Sequence, residues 1–282
     1  MASVRPPQFA ISTWSIHRVL GLTYPDAPGR PSTGKPDPAY GHGSVNLLDL
    51  PAELNRRNFE RIEICHFQLN GRDRAYVREL RAALAAANIT LQTLLIDDGD
   101  ITHPTEGQRD EAWIAGWIET AVELGASHAR VIAGKQAPGP DALALSVAGL
   151  RRLGHYGKAA GVRIVTENWF DLTAGPKEVN AILDPLEGDV GFLADTGNWE
   201  GDGKYADLAA VFGRAERCHS KAHVGAGLVL DQEDYRRCLQ SAVTGGYKGP
   251  HTLIYEGPDD EWAGVELERA FVSAFYAASG QG

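Results

Sequence analysis

Four residues of metal-binding type stand just beyond short apolar runs in the second half of the chain. Glu167 follows VRIVT, Asp195 follows VGFLA, His219 follows ERC and Glu256 follows HTLIY. Carboxylate oxygens and imidazole nitrogens bind divalent cations, and carboxylates also serve as general acids and bases. These residue types therefore suggest a metal site with proton-transfer chemistry.

The spacing of the four residues matches a repeating unit of one strand and one helix. Successive members are 28, 24 and 37 residues apart, and parallel strands joined by helices bring their carboxyl ends to one face. Three carboxylates meeting there would repel one another unless a cation lay among them. The set predicts one divalent metal. Mn²⁺ best suits one imidazole and three oxygens, and Mg²⁺, Co²⁺ or Zn²⁺ are alternatives.

Apolar runs of strand length recur along the whole chain and alternate with helical patterns. Eight such runs are predicted: Phe9 to Trp14, Arg61 to Cys65, Leu91 to Ile96, His128 to Ala133, Val162 to Thr166, Val190 to Ala194, Arg217 to Ser220 and Thr252 to Tyr255. Helix boundaries carry proline before and glycine after the helical patterns, at Pro51, Pro140, Pro176, Gly125, Gly161 and Gly213. The 282 residues are predicted to form one (β/α)₈ TIM barrel, residues 1–282, with an open doubly wound sheet as the alternative.

One segment interrupts the alternation. Residues 21–47 contain five glycines and five prolines, and this stretch of 27 residues is too long for a simple connection. Because the segment follows the first strand, we expect it to lie over the face that carries the metal-binding residues. We interpret it as a lid or substrate-contacting loop, and the alternative is a surface insertion used in oligomer contacts.

Composition narrows the function classes. The chain is 43% hydrophobic and 23% charged, without an apolar run near the ~18 residues that a membrane span requires. The amino terminus, MASVRPPQFAIS, lacks the apolar core of a signal peptide, and three irregularly spaced cysteines argue against a disulfide framework, so we expect a cytoplasmic protein. A formal net charge of −10 argues against nucleic acid as a partner.

Two glycine-rich runs match nucleotide-binding motifs only superficially. In GRPSTGKP, Pro36 replaces the residue that would bind Mg²⁺, and no strand leads directly into Gly29. GDGKYA does not follow its strand directly, and the acidic partner of a dinucleotide site is missing. We therefore predict no nucleotide cofactor.

Motifs on the last four units resemble those of a known family. The runs TENW, ADTGN, CHSKA and IYEGPDDEW are similar to the strand 5 to 8 motifs of the xylose isomerase-like TIM-barrel superfamily, the sugar phosphate isomerase/epimerase group. The resemblance implies one metal held by Glu167, Asp195, His219 and Glu256. It also implies that Glu167 and Glu256 form the catalytic acid/base pair of an isomerase or epimerase. The substrate would be a ketose or related small carbohydrate, reacting through a metal-stabilised enediolate.

Departures from the family pattern leave other functions open. Epimerases of the family tend to carry His where Asn198 stands and an Arg beyond the strand 7 His, and members commonly show Asp where Ala222 stands. The missing Arg argues against a strongly held phosphate or carboxylate on the substrate. The leading alternative is a metal-dependent lyase on a keto-sugar or keto-inositol, of the dehydratase or C-glycoside-cleaving type. An endonuclease IV-like enzyme would need more histidines and a basic groove, and a non-catalytic barrel is the last alternative.

Further residues near the predicted strand ends are candidates for substrate binding: His66, Asn198, Lys221, Trp14, Lys135 and Trp169. Lys221 alternates with His219 along one strand, so both side chains can point inward. Aromatic faces commonly stack on sugar rings. For each of these residues the alternative is a structural role in packing or ion pairing. Because barrels of this kind often pair, we expect a homodimer or homotetramer.

Overall fold

In the computed structural model, which describes residues 7–280, the predicted strands close into a barrel. Its members are all parallel: β1 (Phe9–Ser12), β2 (Arg61–Cys65), β3 (Thr90–Ile96), β4 (His128–Val131), β5 (Arg163–Glu167), β6 (Gly191–Asp195), β7 (Ala215–Lys221) and β10 (His251–Ile254). Hydrogen bonds join them in the order β1–β10–β7–β6–β5–β4–β3–β2 and back to β1. The predicted (β/α)₈ TIM barrel is confirmed, and the doubly wound alternative is wrong.

Helices surround the barrel and connect its strands. In the described part of the chain they are α1 (His17–Leu20), α2 (Leu50–Arg56), α3 (Arg74–Ala86), α4 (Gly107–Leu124), α5 (Pro140–Ala160), α6 (Pro176–Leu183), α7 (Lys204–Phe212), α8 (Gln232–Thr244) and α9 (Glu261–Ser279). Pro140 and Pro176 begin α5 and α6, and Gly125 and Gly161 follow α4 and α5, as predicted. Within residues 7–280, no helix combines the length and the apolar character that crossing a membrane requires.

The observed strands differ from the predicted ones by one or two residues at several ends, most at the first, fourth and seventh barrel strands. The first strand stops at Ser12, because the Ser12 hydroxyl accepts a hydrogen bond from the Trp14 amide (3.1 Å) and starts a 3₁₀ turn over Thr13–Ile16. The seventh barrel strand is longer than predicted, and a short antiparallel hairpin of β8 (Val224–Gly225) and β9 (Val229–Leu230) follows it. Trp14 therefore lies in a turn beyond the strand end.

Strand register decides which polar residues meet inside the barrel. Asp195 on β6 lies directly opposite His219 on β7, and Glu63 on β2 lies opposite Thr93 on β3. These four side chains are buried, whereas the apolar core lies mainly between the strands and the surrounding helices. The barrel interior is thus polar where the strands carry their charged residues.

The Gly/Pro-rich segment, residues 21–47, is anchored to the barrel. Gly21 and Gly43 pack backbone against backbone, and a Cβ on Gly21 would lie 2.1 Å from the Gly43 nitrogen. The buried Asp26 carboxylate accepts a hydrogen bond from the Trp113 indole (3.2 Å) on α4. Its backbone carbonyl lies 3.1 Å from Nε2 of His66. The segment is therefore held near both ends and at Asp26.

A buried imidazole at the start of β10 makes stability depend on pH. His251 lies 2.9 Å from the Tyr276 hydroxyl and 3.3 Å from Ser220 Oγ, and burial lowers its pKa to about 4. An unfolded chain binds the proton near pH ~6.5, whereas the folded chain binds it only near pH 4, so the free energy of unfolding falls as the pH drops between these values.

We expect His251→Gln to reduce this acid sensitivity. Glutamine keeps a polar group near Tyr276 but does not titrate, so the variant should lose about 3 kcal/mol less stability than the parent between pH 6.5 and 4 (~1.36 kcal/mol per pKa unit). Urea unfolding of both proteins at the two pH values measures the difference. Equal losses in the two proteins would contradict the assignment.

Candidate metal centre and active site

Three predicted metal ligands meet at the carboxyl ends of neighbouring strands. Glu167 ends β5, Asp195 ends β6 and His219 lies on β7, and one ligand atom from each falls within 4.8 Å of the others. His219 Nδ1 is 3.3 Å from Glu167 Oε1 and 3.4 Å from Asp195 Oδ2. All three side chains are buried. Two carboxylates and an imidazole form a ligand set that fits a divalent cation.

A fourth carboxylate, which the sequence analysis missed, holds the histidine from behind. Glu63 on β2 is fully buried, and its Oε2 lies 2.7 Å from His219 Nε2. Its Oε1 accepts hydrogen bonds from the Gln92 amide and the Thr93 hydroxyl, both at 2.8 Å. A carboxylate on Nε2 fixes the ring orientation and leaves Nδ1 to face the metal ligands. The charged residue inside the apolar run RIEIC was the available signal.

The carboxylates around His219 and the burial of the group shift pKa values in opposite directions. Burial alone would lower its pKa, but Glu167, Glu63 and Asp195 outweigh burial and raise the pKa of His219 well above its ordinary value. Burial raises the pKa of Asp195, yet the hydrogen bond and charge of His219 bring it below the usual value. The cluster therefore favours a positive charge at Nδ1, either a proton or a metal ion.

Two asparagines hold the ligand residues in place. The Asn168 side chain accepts a hydrogen bond from the Asp195 amide (2.7 Å) and donates one to the Asp195 carbonyl (3.0 Å), which joins the ends of β5 and β6. Asn198 donates to Glu167 Oε1 (3.0 Å). The Gly197 amide donates to Asp195 Oδ1 (2.6 Å). The carboxylates are thus oriented by neutral donors as well as by charge.

A buried arginine that the sequence analysis also missed contacts the same cluster. Arg130 on β4 is 3% exposed; its Nε is 3.1 Å from Glu167 Oε2 and it forms an ion pair with Asp97. Its guanidinium lies 4.8 Å from the Trp169 ring centre. Burial lowers the pKa of Arg130, but Asp97 and Glu167 outweigh it and keep the pKa above the ordinary value. Because Asp97 and Glu167 both lie within ion-pair distance of Arg130, its positive charge is compensated within the site.

Glu256, the fourth predicted ligand, lies in the same pocket but outside the compact group of three. Its Oε1 accepts a hydrogen bond from the Trp14 indole (2.7 Å), and its Oε2 is 2.7 Å from Lys221 Nζ. The Lys221 stem crosses Gly197, where a Cβ would lie 2.5 Å from Lys221 Cδ. Glu256 therefore forms a pair with Lys221, and metal coordination by Glu256 stays a prediction.

Most of the candidate site residues line one cavity of about 430 Å³ at the carboxyl end of the barrel. Of the candidate residues, the lining includes Trp14, Glu167, Trp169, Asp195, Asn198, His219, Lys221 and Glu256. Residues Thr23, Ala39 and Tyr40 of the 21–47 segment also line it. The cavity combines a few convergent polar groups with aromatic walls, as small-molecule sites usually do.

Two predicted substrate contacts, His66 and Lys135, are not among the lining residues. His66 Nδ1 accepts a hydrogen bond from the Asp97 amide (3.1 Å) while Nε2 faces the Asp26 carbonyl, so the ring joins the 21–47 segment to the end of β3. Lys135 Nζ lies 2.6 Å from Asp98 Oδ1. Substrate contact by either residue stays a prediction.

Comparison with known proteins establishes the family. The family model described as xylose isomerase-like TIM barrel matches residues 51–270, so the chain belongs to this family. No curated protein sequence matches the chain. A xylose isomerase-like TIM barrel protein from Mycobacterium smegmatis, solved in complex with magnesium, has a TM-score of 0.67 and 16% sequence identity, with 97% of each chain covered.

Two further solved structures share the fold. The 3-keto-D-glucoside 4-epimerase of E. coli has a TM-score of 0.64 and 16% identity, covering 81% of this chain and 94% of that chain. The D-psicose 3-epimerase of Clostridium cellulolyticum H10, solved with D-tagatose, has a TM-score of 0.62 and 12% identity, covering 97% and 98%. At these identities the similarity establishes the fold.

We expect Glu63→Gln to weaken metal binding without unfolding the barrel. Removing the charge behind His219 lowers the basicity of Nδ1 and loosens the ring, so affinity for Mn²⁺ should fall roughly 10- to 100-fold. Calorimetric titration with Mn²⁺ measures the affinity. Glu60→Gln, on an exposed glutamate just before the same strand, is the matched control. Equal affinities in the parent and Glu63→Gln would contradict the assigned role.

Metal binding should also release a proton. Because its neighbours raise the pKa of His219 well above the ordinary value, we expect a metal that binds at Nδ1 to displace a proton from the imidazole. Affinity should therefore fall as pH is lowered, by up to about tenfold per pH unit. Titrations in two buffers of different ionisation enthalpy count the released protons. Heats that do not depend on the buffer would contradict the expectation.

Proposed function

We propose that the chain is a divalent-metal-dependent isomerase or epimerase of a ketose or related small carbohydrate. The observation that carries the proposal is the buried group of Glu167, Asp195 and His219, which opens into a pocket that also presents Lys221 and Glu256. The family supports it, since solved neighbours include a 3-keto-D-glucoside 4-epimerase and a D-psicose 3-epimerase. The neighbour solved with magnesium supports a divalent ion, and our prediction for this chain remains Mn²⁺.

Glu167, Asp195 and His219 would hold the ion, with Glu256 as the predicted fourth ligand. When bound, the cation supplies a Lewis acid that stabilises negative charge on substrate oxygens while the adjacent carbon loses its proton. The residues of the chain orient the sugar and move that proton. Lys221 and Asn198 line the pocket and can donate hydrogen bonds to hydroxyl or carbonyl oxygens.

Glu256 is the best-placed group for proton transfer. Its side chain is 38% exposed, whereas Glu167 is 4% exposed, so a substrate in the pocket can reach it. Trp14 and Lys221 each hold one of its oxygens, which fixes the direction of the carboxylate. In the proposed reaction one carboxylate removes the proton and the other returns it. Return to the same carbon inverts that carbon, and return to its neighbour moves the carbonyl group.

One observation favours the lyase alternative. Glu167 is buried whereas Glu256 is partly exposed, so a substrate in the pocket has less access to Glu167 for the return of a proton. A site with one accessible carboxylate suits elimination, in which a single base removes the proton beside the carbonyl and a leaving group departs. A keto-sugar or keto-inositol lyase is therefore the second candidate, and analysis of the products separates it from an epimerase.

We expect the Mn²⁺-loaded protein to exchange hydrogen beside the carbonyl of its substrate with solvent. The test is incubation with D-psicose, D-tagatose and 3-keto-D-glucosides in D₂O, followed by NMR and mass spectrometry. Asp195→Asn should lose the metal and the exchange together. Glu256→Gln should lower the exchange rate about 10²- to 10⁴-fold, because it removes the proton acceptor.

Glu233→Gln, on an exposed carboxylate of α8 that pairs with Arg236, is the matched control and should exchange like the parent. Elemental analysis of each protein confirms its metal content. A metal-loaded parent that exchanges hydrogen with none of these sugars would count against the proposal. We also keep a cytoplasmic location, a lid role for residues 21–47 and a homo-oligomer as predictions.

A further inference from the structure

His66 is a buried imidazole that lies outside the cavity lining, and the proposed chemistry gives it no role. Its side chain is 2% exposed. The ring packs edge-on against Trp113 and Trp117 of α4, with ring centres 5.3 and 5.1 Å away. Buried polar atoms are costly unless they form hydrogen bonds. The partners of its two nitrogens therefore indicate what the residue holds together.

The two ring nitrogens of His66 contact backbone groups from different parts of the chain. Nδ1 accepts a hydrogen bond from the Asp97 amide (3.1 Å), directly after β3. This leaves Nε2 as the nitrogen that can donate to the Asp26 carbonyl, which lies 3.1 Å away in the Gly/Pro-rich segment. One imidazole thus joins the segment to the carboxyl end of a barrel strand.

Asp97 extends this connection to the metal-binding residues. Its carboxylate forms an ion pair with Arg130 of β4, and Arg130 Nε lies 3.1 Å from Oε2 of Glu167. The three side chains are 11%, 3% and 4% exposed in that order, so water screens these contacts little. Consecutive contacts therefore lead from the Asp26 carbonyl to Glu167. We call His66, Asp97 and Arg130 the linking residues.

Asp26 anchors the part of the Gly/Pro-rich segment that these contacts reach. Its buried carboxylate accepts hydrogen bonds from the Ser32 amide and the Trp113 indole, both at 3.2 Å. Residues 33–39 of the same segment are exposed, and the segment contributes Tyr40 to the cavity lining. The attachment at Asp26 therefore holds a segment that forms part of the cavity wall.

We propose that the linking residues couple the Gly/Pro-rich segment to the metal centre, so that metal binding strengthens the attachment of the segment. The Glu167 carboxylate is fixed when it binds a metal, and it then restricts Arg130 and, through Asp97, the His66 ring. Ordering one end of such a series of contacts lowers the entropic cost of ordering the other end. His66 is a positioning residue in this scheme, and the inference rests on the metal site of the proposed function.

Coupling of this kind acts in both directions. If the metal strengthens the attachment by some factor, detachment of the segment weakens metal binding by the same factor. Because Thr23, Ala39 and Tyr40 of the segment line the cavity, metal binding also prepares the wall that a substrate meets. The metal is then the first ligand to bind, and the substrate follows.

Hydrogen–deuterium exchange of backbone amides measures the attachment directly. The amides of Ala27, Arg30 and Ser32 form hydrogen bonds beside or with Asp26, so their exchange reports on this part of the segment. Exchange is followed by mass spectrometry without metal and with saturating Mn²⁺, and calorimetry confirms saturation. In the parent, Mn²⁺ should slow the exchange of these amides about fivefold or more.

His66→Phe should remove the effect of the metal on exchange. Phenylalanine keeps a ring against Trp113 and Trp117 but has no ring nitrogens, so the Asp26 carbonyl and the Asp97 amide lose their common partner. Mn²⁺ should then change the exchange less than about twofold. The affinity for Mn²⁺ should fall by a factor similar to that by which the metal slows exchange in the parent.

A second variant interrupts the same contacts at another point. Asp97→Asn keeps the shape of the side chain and the amide that donates to His66, but removes the charge that pairs with Arg130. Mn²⁺ should change the exchange less than about twofold here too. His103→Phe is the control, because His103 Nδ1 also accepts a backbone amide at 3.1 Å, from Glu106, away from the linking residues. It should behave like the parent.

The outcomes separate this inference from the proposed function. Exchange that Mn²⁺ does not slow, in a parent that calorimetry shows to bind Mn²⁺, would overturn the coupling and leave the proposed metal site standing. Slowing that His66→Phe and Asp97→Asn both retain would show that the linking residues do not carry it, and would also overturn the inference. A parent that binds no divalent metal would contradict both the inference and the proposed function.

Discussion

The concentration of negative charge around one buried imidazole is the constraint on which the site depends. Connected ion pairs link four carboxylates, Glu63, Asp97, Glu167 and Asp195, with Arg130 and His219, and Glu256 forms a separate pair with Lys221 in the same pocket. Even with Arg130 and His219 both charged, the four carboxylates leave two negative charges in excess. Charges of one sign held this closely away from water are costly unless a cation compensates them. A divalent ion at His219 Nδ1 would satisfy this requirement, and the same negative charges raise the pKa of His219.

The barrel makes this arrangement possible because it closes. Parallel strands end on the same face, and closure brings β2 across the interior from β7, so that Glu63 reaches the back of His219 from a strand 156 residues away in sequence. Asn168 then holds the Asp195 backbone and Asn198 holds the Glu167 carboxylate at the rim. The core between strands and helices supplies the rigidity that a preorganised site needs.

The two halves of the pocket come from different parts of the fold. Strand ends carry the charged residues, because each strand terminates in a fixed register with its neighbours. The aromatic residues Trp14, Phe67 and Tyr40 come from the turns after β1 and β2 and from the 21–47 segment. In a barrel of this kind the strand ends can keep one set of charged residues while the loops change the shape of the cavity.

Local patterns in the sequence were sufficient to predict the barrel and three members of its polar cluster. Alternating apolar runs, helix-initiating prolines and the spacing of Glu167, Asp195 and His219 each depend on residues near one another or on a regular repeat. Glu63 and Arg130 were missed because a charged residue within a strand does not reveal its partner, although the charge inside the apolar run RIEIC marked Glu63 as unusual. Their roles depend on partners that the closed sheet supplies.

Side-chain direction could not be read from position along the strands. His66 and Lys135 follow strand ends, as the predicted ligands do, yet the His66 ring accepts a hydrogen bond from the Asp97 amide and Lys135 turns toward Asp98. Glu256 reaches the pocket but pairs with Trp14 and Lys221. The sequence by itself thus determined the repeating fold and three of the residues that meet at the carboxyl ends of its strands, since both follow from periodicity and residue type. Only the tertiary structure decided which charges neutralise one another, because that depends on distances across the closed barrel.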